Sequence, residues 1–312
     1  MALAEREHIL EVIDTLANRH LQGKVRAVRL AIIALLSGGH ILLEDIPGLG
    51  KTTLALALAR VLGLSFGRIQ CTSDLLPSDI TGLSIYRRED QRFEFLPGPI
   101  FHNLVLVDEI SRAMPKTQSA LLEAMEERRV TIEGVTHSLP EPFLVIATQN
   151  PVEQIGTFAL PESQLDRFSL CTGIGYPPAA VEKAIIRGGS VREQIGQIKP
   201  LLSQSQILAA RGALREVHLG EKVAEYIHAL AEASRTHPAI LAGVSTRGAI
   251  TLADTARAAA YLEGRAFVAP EDVRQVAVAA LAHRLILRPE HENRRKEDVL
   301  RLLLKELPVP RD

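Results

Sequence analysis

Short runs of consecutive apolar residues alternate with stretches of helical periodicity through the first half of the chain. Five runs, at Ile41 to Leu43, Arg68 to Cys71, Leu104 to Val107, Phe143 to Thr148 and Phe168 to Ile174, each predict a strand. Their apolarity is continuous rather than alternating, which predicts strands buried on both faces. Helical patterns at Thr52 to Leu62 and Lys116 to Glu127 fall between them. The expected fold class is therefore α/β, a five-stranded parallel sheet covered by helices. Ligands of such sheets sit beyond the carboxyl ends of the strands.

Two segments break the pattern. Leu83 to Phe95 carries Ile85, Tyr86, Phe93 and Phe95 around the charged tip Arg87 to Arg92, and predicts an exposed hairpin. Val130 to Leu139, with its Glu133-Gly134 turn, predicts a second hairpin directly before the fourth strand. After Tyr176-Pro177-Pro178 only helical patterns follow, at about 203–216, 220–235, 246–263, 270–285 and 293–305, with Ser245 a capping residue. The expected organisation is an α/β core over residues 1–177 and an all-helical domain over 178–312. Their boundary falls between 176 and 200, where Gly188-Gly189 and Gly196 to Pro200 offer hinge points. There is no internal repeat, and the charge run Arg288 to Asp298 reads as solvated surface.

Composition narrows the class. With 312 residues and 46% apolar content the chain can bury a substantial core, and a net charge of −1 supplies no global field for a nucleic-acid backbone. Cys71 and Cys171 have no CxxC spacing, which argues against a disulfide framework or a zinc site and fits a reducing compartment. Glu5, Arg6, Glu7 and Glu11 stand where an export signal needs an apolar segment, and even an uncharged stretch as long as Leu30 to Leu43, which no other exceeds, is shorter than the roughly 18 residues of a membrane span. No transmembrane segment is expected, and the expected location is the cytoplasm.

The chemistry begins at the first strand, which runs into Pro47-Gly48-Leu49-Gly50-Lys51-Thr52-Thr53. Glycines there let successive backbone N–H groups face one concavity, and the helix opening at Lys51 adds the positive end of its dipole. In such a phosphate-binding loop Lys51 reaches the β/γ-phosphates and Thr52 ligates Mg²⁺. Asp45 occupies the position where the general pattern has its first glycine. Its carboxylate must turn outward or meet a cation, because aimed inward it would repel phosphates. The bland alternative is an ordinary glycine turn between strand and helix.

The third strand ends in Asp108-Glu109, an Mg²⁺ ligand and a group able to polarise attacking water; alone, this could be an ordinary strand exit. The fourth ends at Thr148-Gln149-Asn150-Pro151, where the Asn150 amide can sense a terminal phosphate or can simply form a turn before proline. Arg167, immediately before the fifth predicted strand, offers a planar fork for phosphate oxygens or a surface ion pair with Asp166.

Taken together these motifs resemble the MoxR-type AAA+ ATPases, in the branch with a helix-2 insert and a hairpin before sensor 1. The resemblance rests on Gly38 to Glu44, Pro47 to Thr52, Leu76 to Gly82, Asp108 to Ile110, Pro115 to Glu127, Ala147 to Pro151 and Gln164 to Phe168, and it extends from about Gln22 to the last helices. It implies a P-loop AAA+ αβα core with an all-helical lid domain, ATP and Mg²⁺ as cofactors, and a homo-oligomeric ring, usually a hexamer. It assigns Lys51 and Thr52 to Walker A, Asp108 and Glu109 to Walker B, Asn150 to sensor 1, Arg167 to a finger reaching the neighbour's nucleotide, and Arg247 to sensor 2, acting in cis or in trans. Backbone around Leu21, Gln22 and Gly23 is expected at the adenine. Ser111, Met114 and Ile155 depart from the family's usual residues.

Three functions follow as expectations. The leading one is an Mg²⁺-dependent ATPase whose ring remodels or matures protein partners in a chaperone-like manner. Relatives often act on proteins with von Willebrand factor A domains; none lies within these 312 residues, so such a client is expected to be a separate chain. The second is a nucleotide-controlled assembly switch with little hydrolysis, which Asp45 and Ser111 allow. The third, a DNA-dependent motor, is disfavoured. No Lys or Arg lies between Val130 and Pro142, and Arg87, Arg88 and Arg92 are offset by Glu89, Asp90 and Glu94.

Overall fold

The computed structural model describes residues 2–89, 91–151, 156–187 and 195–310; Asp90, Ile155 and Gly188-Gly189 lie outside them. All five expected strands form: β1 (Ile41–Glu44), β2 (Phe66–Gln70), β5 (Leu104–Asp108), β8 (Leu144–Gln149) and β9 (Leu170–Thr172). They make one parallel sheet in the order β2-β5-β8-β1-β9, with Ile41 opposite both Ile146 and Leu170. Their continuous apolarity has the expected cause. Ile41, Leu43, Leu104, Leu106, Leu144 and Ile146 face one buried cluster, while Leu42, Val105, Val107, Val145 and Ala147 face another.

The first cluster is closed by α2 (Val25–Leu36) and α3 (Lys51–Val61), the second by the short α4 (Pro77–Thr81) and by α5 (Pro115–Glu127), which opens with Pro115 at a position where a missing N–H costs nothing. The hairpins also form, as β3 (Gly82–Arg87) with β4 (Arg92–Pro97) and as β6 (Arg129–Ile132) with β7 (Val135–Ser138). They meet each other, since Phe95 stacks on His137 with ring centroids 4.1 Å apart.

Three features differ from the sequence expectation. The fifth strand begins at Leu170 instead of Phe168, because the Phe168 carbonyl accepts from His283 Nε2 at 2.9 Å and from the Arg284 guanidinium at 2.9 Å and is spent on the lid. The lid is not wholly helical: β10 (Ile240–Ala242) pairs antiparallel with β11 (Ile286–Leu287) between helices Gln204–Leu214, Glu221–Thr236, Thr246–Leu262, Pro270–Leu281 and Lys296–Glu306. An unpredicted N-terminal helix, α1 (Ala2–Thr15), packs against Gln204–Leu214 and Thr246–Leu262. One apolar cluster consequently runs from Val12 through the sheet to Leu300. Among the described residues no helix is long and apolar enough to cross a membrane.

Two buried histidines fasten these layers. Val145 N–H donates to His40 Nδ1 at 3.0 Å, so Nε2 carries the proton and donates to the Met125 carbonyl at 3.1 Å. His283 sits under the fifth strand. Burial, with Arg284 adding to it, pushes its pKa down to about 3; burial and then Arg128 hold His40 well below its ordinary value. Both folded values lie below the roughly 6.5 of an unfolded chain. The native state therefore keeps both rings neutral, and stability that is complete above pH about 6.5 falls below it, by up to about 1.4 kcal/mol per pH unit for each ring. Denaturant melts between pH 6.5 and 4.5 should show this slope, and His40→Gln should reduce it; an unchanged slope would contradict the assignment.

Candidate nucleotide-binding site

The carboxyl ends of β1, β5 and β8 converge on one rim. From β1 the chain turns through Pro47-Gly48-Leu49-Gly50 into α3, whose first turn holds Lys51, Thr52 and Thr53. Gly48 (φ 86°) and Gly50 (φ 92°) are left-handed, and a Cβ on either would meet nothing closer than 3.8 Å. The loop demands glycine for its backbone, not for space. Lys51 Nζ donates to the carbonyls of Asp45 (2.5 Å) and Gln149 (3.5 Å), and among the described residues it makes no ion pair. Burial lowers its pKa, opposed by the negative charge of Asp45, Asp108 and Glu109. Beside it the Gln149 Oε1 is buried without a hydrogen-bond partner. A cation resting on neutral carbonyls at a helix N-terminus suits phosphate oxygens.

Asp45 turns outward. Its Oδ2 accepts from the backbone N–H groups of Ile174 (2.9 Å) and Gly175 (2.7 Å), and Oδ1 from its own neighbour Ile46 (3.1 Å). The carboxylate thus ties the phosphate loop to the segment leaving β9, close to Lys24, whose ammonium donates to the Gly175 carbonyl.

Asp108 ends β5 with both oxygens engaged. Oδ1 accepts from Thr148 Oγ1 (3.2 Å), while Oδ2 accepts from Thr52 Oγ1 (3.4 Å) and from Arg68 Nε (2.9 Å). Thr52 and Asp108 are therefore adjacent oxygen donors of the kind that hold Mg²⁺. Glu109 has φ 56°, an unfavourable value for a side-chain-bearing residue. It is held there by its N–H donating to Thr148 Oγ1 (2.8 Å) and by Arg112 (3.0 Å), with the Gln70 amide 3.5 Å from its carboxylate. Such strain, retained beside the buried Asp108, is characteristic of functional positions. Asn150 follows the end of β8 on the same rim.

The arginines lie elsewhere. Arg167 Nε pairs with Glu126 Oε2 (3.2 Å), and Arg247, in the first turn of the Ser245-capped helix, pairs with Glu126 Oε1. Asp166, the sequence-based alternative partner of Arg167, is taken by the buried Arg284. Arg167 and Arg247 border a cavity of about 190 Å³ together with Gly38, Gly39 and Ser169. These last residues precede β1 and β9, so the cavity opens at the amino rim. At about 3.3 Å per strand residue, the path from Gly39 to Asp45 places roughly 20 Å between the two rims.

Gly23 has φ +79° and abuts Pro178; it borders a cavity of about 750 Å³, which Lys24, Asp45, Gly173, Lys296 and Arg301 also line and residues 47–53 do not. The Gln22 amide is spent on the Asn18 carbonyl (3.0 Å). Ser111 is buried and its carbonyl accepts from Phe158 N–H (2.6 Å), whereas Met114 is exposed ahead of α5. Sequence reasoning missed Arg68, Gln70, Thr148 and Glu126 as members of these constellations. The first two alternate with buried residues along β2, and that parity was the available signal.

Comparison with known proteins shows the family and the fold. Residues 40–170 match the model of the ATPase family associated with various cellular activities (AAA), and residues 232–303 match the AAA lid domain. The protein YeaC of Bacillus subtilis is 44% identical, with 94% of this chain and 92% of that one covered. Chaperone MoxR1 of Mycobacterium tuberculosis is 39% identical over 91% and 78%, and MoxR of Paracoccus denitrificans 34% over 92% of each. A crystal structure of an ATPase candidate from Cytophaga hutchinsonii superposes with TM-score 0.91 at 38% identity, covering 99% of this chain and 97% of that one.

Asp45→Ala leaves two backbone donors of the β9 exit without their carboxylate. Denaturant unfolding should register a loss of about 1–3 kcal/mol, with no gain in affinity for a fluorescent ATP analogue. Tighter nucleotide binding at unchanged stability would mean that the carboxylate faces the phosphates after all.

Proposed function

This chain belongs to the MoxR family of AAA+ ATPases, and from that premise we propose that it hydrolyses ATP with Mg²⁺ at a site shared between neighbouring copies in a ring. The observation that carries the reading is the division of the functional groups between two rims of one sheet. Lys51, Thr52, Asp108, Glu109 and Asn150 stand at the carboxyl rim, Arg167 and Arg247 at the amino rim. A guanidinium does not span that separation within one chain, so both arginines act on a neighbour's nucleotide.

Lys51 neutralises the β/γ-phosphates, and Asn150 orients the terminal phosphate. Thr52 and Asp108 would hold the cation, which would supply neutralisation of the charge on the phosphate oxygens. The Glu109 carboxylate accepts a hydrogen bond from the attacking water and so aligns it. Residues 21–23 lie beside the adenine, with Gly23 contributing backbone. The nucleotide-binding core is taken as residues 1–177 and the lid as 178–312.

The ring is proposed to be hexameric and cytoplasmic, and to remodel or mature protein clients. The chaperone designation of the Mycobacterium tuberculosis relative supports protein clients, and the family resemblance favours one bearing a von Willebrand factor A domain. The Arg68–Asp108 ion pair favours a second reading, an assembly switch that binds ATP and scarcely hydrolyses it, because Asp108 must give up Arg68 before it can serve a metal.

Turnover measured against protein concentration separates the two. For the ATPase, the rate per chain should rise as rings assemble and fall by about 10³-fold or more in Arg167→Ala. Glu109→Gln should retain ATP binding and lose at least about 10²-fold in turnover. Negligible turnover at every concentration, with assembly still responding to ATP, would establish the switch instead.

A further inference from the structure

Arg167 comes from the loop before β9 and Arg247 from the lid, yet both guanidiniums converge on one carboxylate, Glu126, in the last turn of α5. Two cations brought together in a cleft repel, and without a counter-charge each long side chain would sample many rotamers. Other acids do not serve this purpose. Asp166 is committed to Arg284, and Glu127 pairs with Arg129. Arg128, the third guanidinium bordering the cleft, donates to the carbonyls of Gly38 and Phe143 and lies over the Phe143 ring, so it belongs to the scaffold.

The manner of contact matters. Arg167 reaches Glu126 through Nε, and Arg247 through a single terminal nitrogen. A guanidinium offers five N–H donors. Glu126 therefore fixes the direction of both forks while leaving donors for an incoming oxyanion. It is exposed and borders the same cavity as the two arginines.

We propose that Glu126 is a positioning residue that aligns Arg167 and Arg247 as one two-pronged receptor for the terminal phosphate of a nucleotide held by a second copy of this chain. The inference rests on the shared-site reading above. Fixing both forks beforehand removes the ordering cost at the moment of reaction, and misplacement by about 1 Å is enough to lower a rate about 10²-fold. Glu126 acts only on the receptor face, so its loss leaves the chain's own phosphate loop intact.

Mixing variants tests this directly. Glu126→Ala alone should lose about 10²-fold in kcat, while its affinity for a fluorescent ATP analogue stays within about twofold of the native chain. Glu126→Gln, which keeps the shape and one acceptor, should fall between, and its melting temperature shows that the fold survives. Lys51→Ala chains cannot bind nucleotide but carry an intact receptor face. Added to Glu126→Ala chains they should restore turnover, as they should to Arg167→Ala chains. Restoration of Arg167→Ala without restoration of Glu126→Ala overturns the proposal while leaving the shared site standing. Failure to restore Arg167→Ala overturns the shared site itself, and native turnover in Glu126→Ala overturns the role of Glu126.

Discussion

Five strands running in one direction give the sheet two unlike rims, and the rest of the molecule follows from that constraint. Strand exits collect at the carboxyl rim, where loops can be shaped around a ligand and where the N-terminus of α3 adds its partial positive charge. Strand entries collect at the amino rim, where α5 ends after running back across the sheet and where the lid supplies Arg247. A cation at one rim and an anion at the other are too far apart to meet within a single chain. The same parallel topology that makes the core easy to bury thus keeps Arg167 and Arg247 away from Lys51 and Asp108, and that separation underlies the proposed site between copies.

The carboxyl rim is organised around Asp108. Its carboxylate joins the helix after the phosphate loop through Thr52, the neighbouring strand through Thr148 and the edge strand through Arg68. A buried carboxylate is tolerated only when it is paired and hydrogen-bonded. Removing it would leave Arg68 and Thr148 without their acceptor and release Glu109, whose left-handed backbone leans on the same Thr148 hydroxyl. Arg68 donates to the same Asp108 oxygen that Thr52 approaches, so the charge of the carboxylate is neutralised within the chain.

Much of this was legible in the sequence, and the reason is local. A strand buried on both faces must be continuously apolar, so Leu104 to Val107 announces itself and makes the acids that follow conspicuous. A left-handed loop needs glycine, so Gly48 and Gly50 mark the turn. What escaped depends on distance across the fold. Arg68 and Gln70 read as part of a strand, and only the register of β2 against β5 brings them to Asp108 and Glu109. In the sequence Glu126 is one acid among several at the end of a helix, and only the fold brings Arg247 against it. The pairing of β10 with β11 involves strands of three and two residues, too short for any periodicity. Asp45 was the reverse case, a residue whose identity posed a problem that its contacts with Ile174 and Gly175 resolve.

The central claim is that one site is built from two chains. A structure of Glu109→Gln assembled with ATP and Mg²⁺ tests it most directly, through the distance from the Arg167 guanidinium to the nearest γ-phosphate. The account predicts hydrogen-bonding contact, about 2.7–3.2 Å, with the nucleotide of a neighbouring chain. Contact with the nucleotide of its own chain, or an Arg167 remote from every γ-phosphate in an assembled ring, would contradict it.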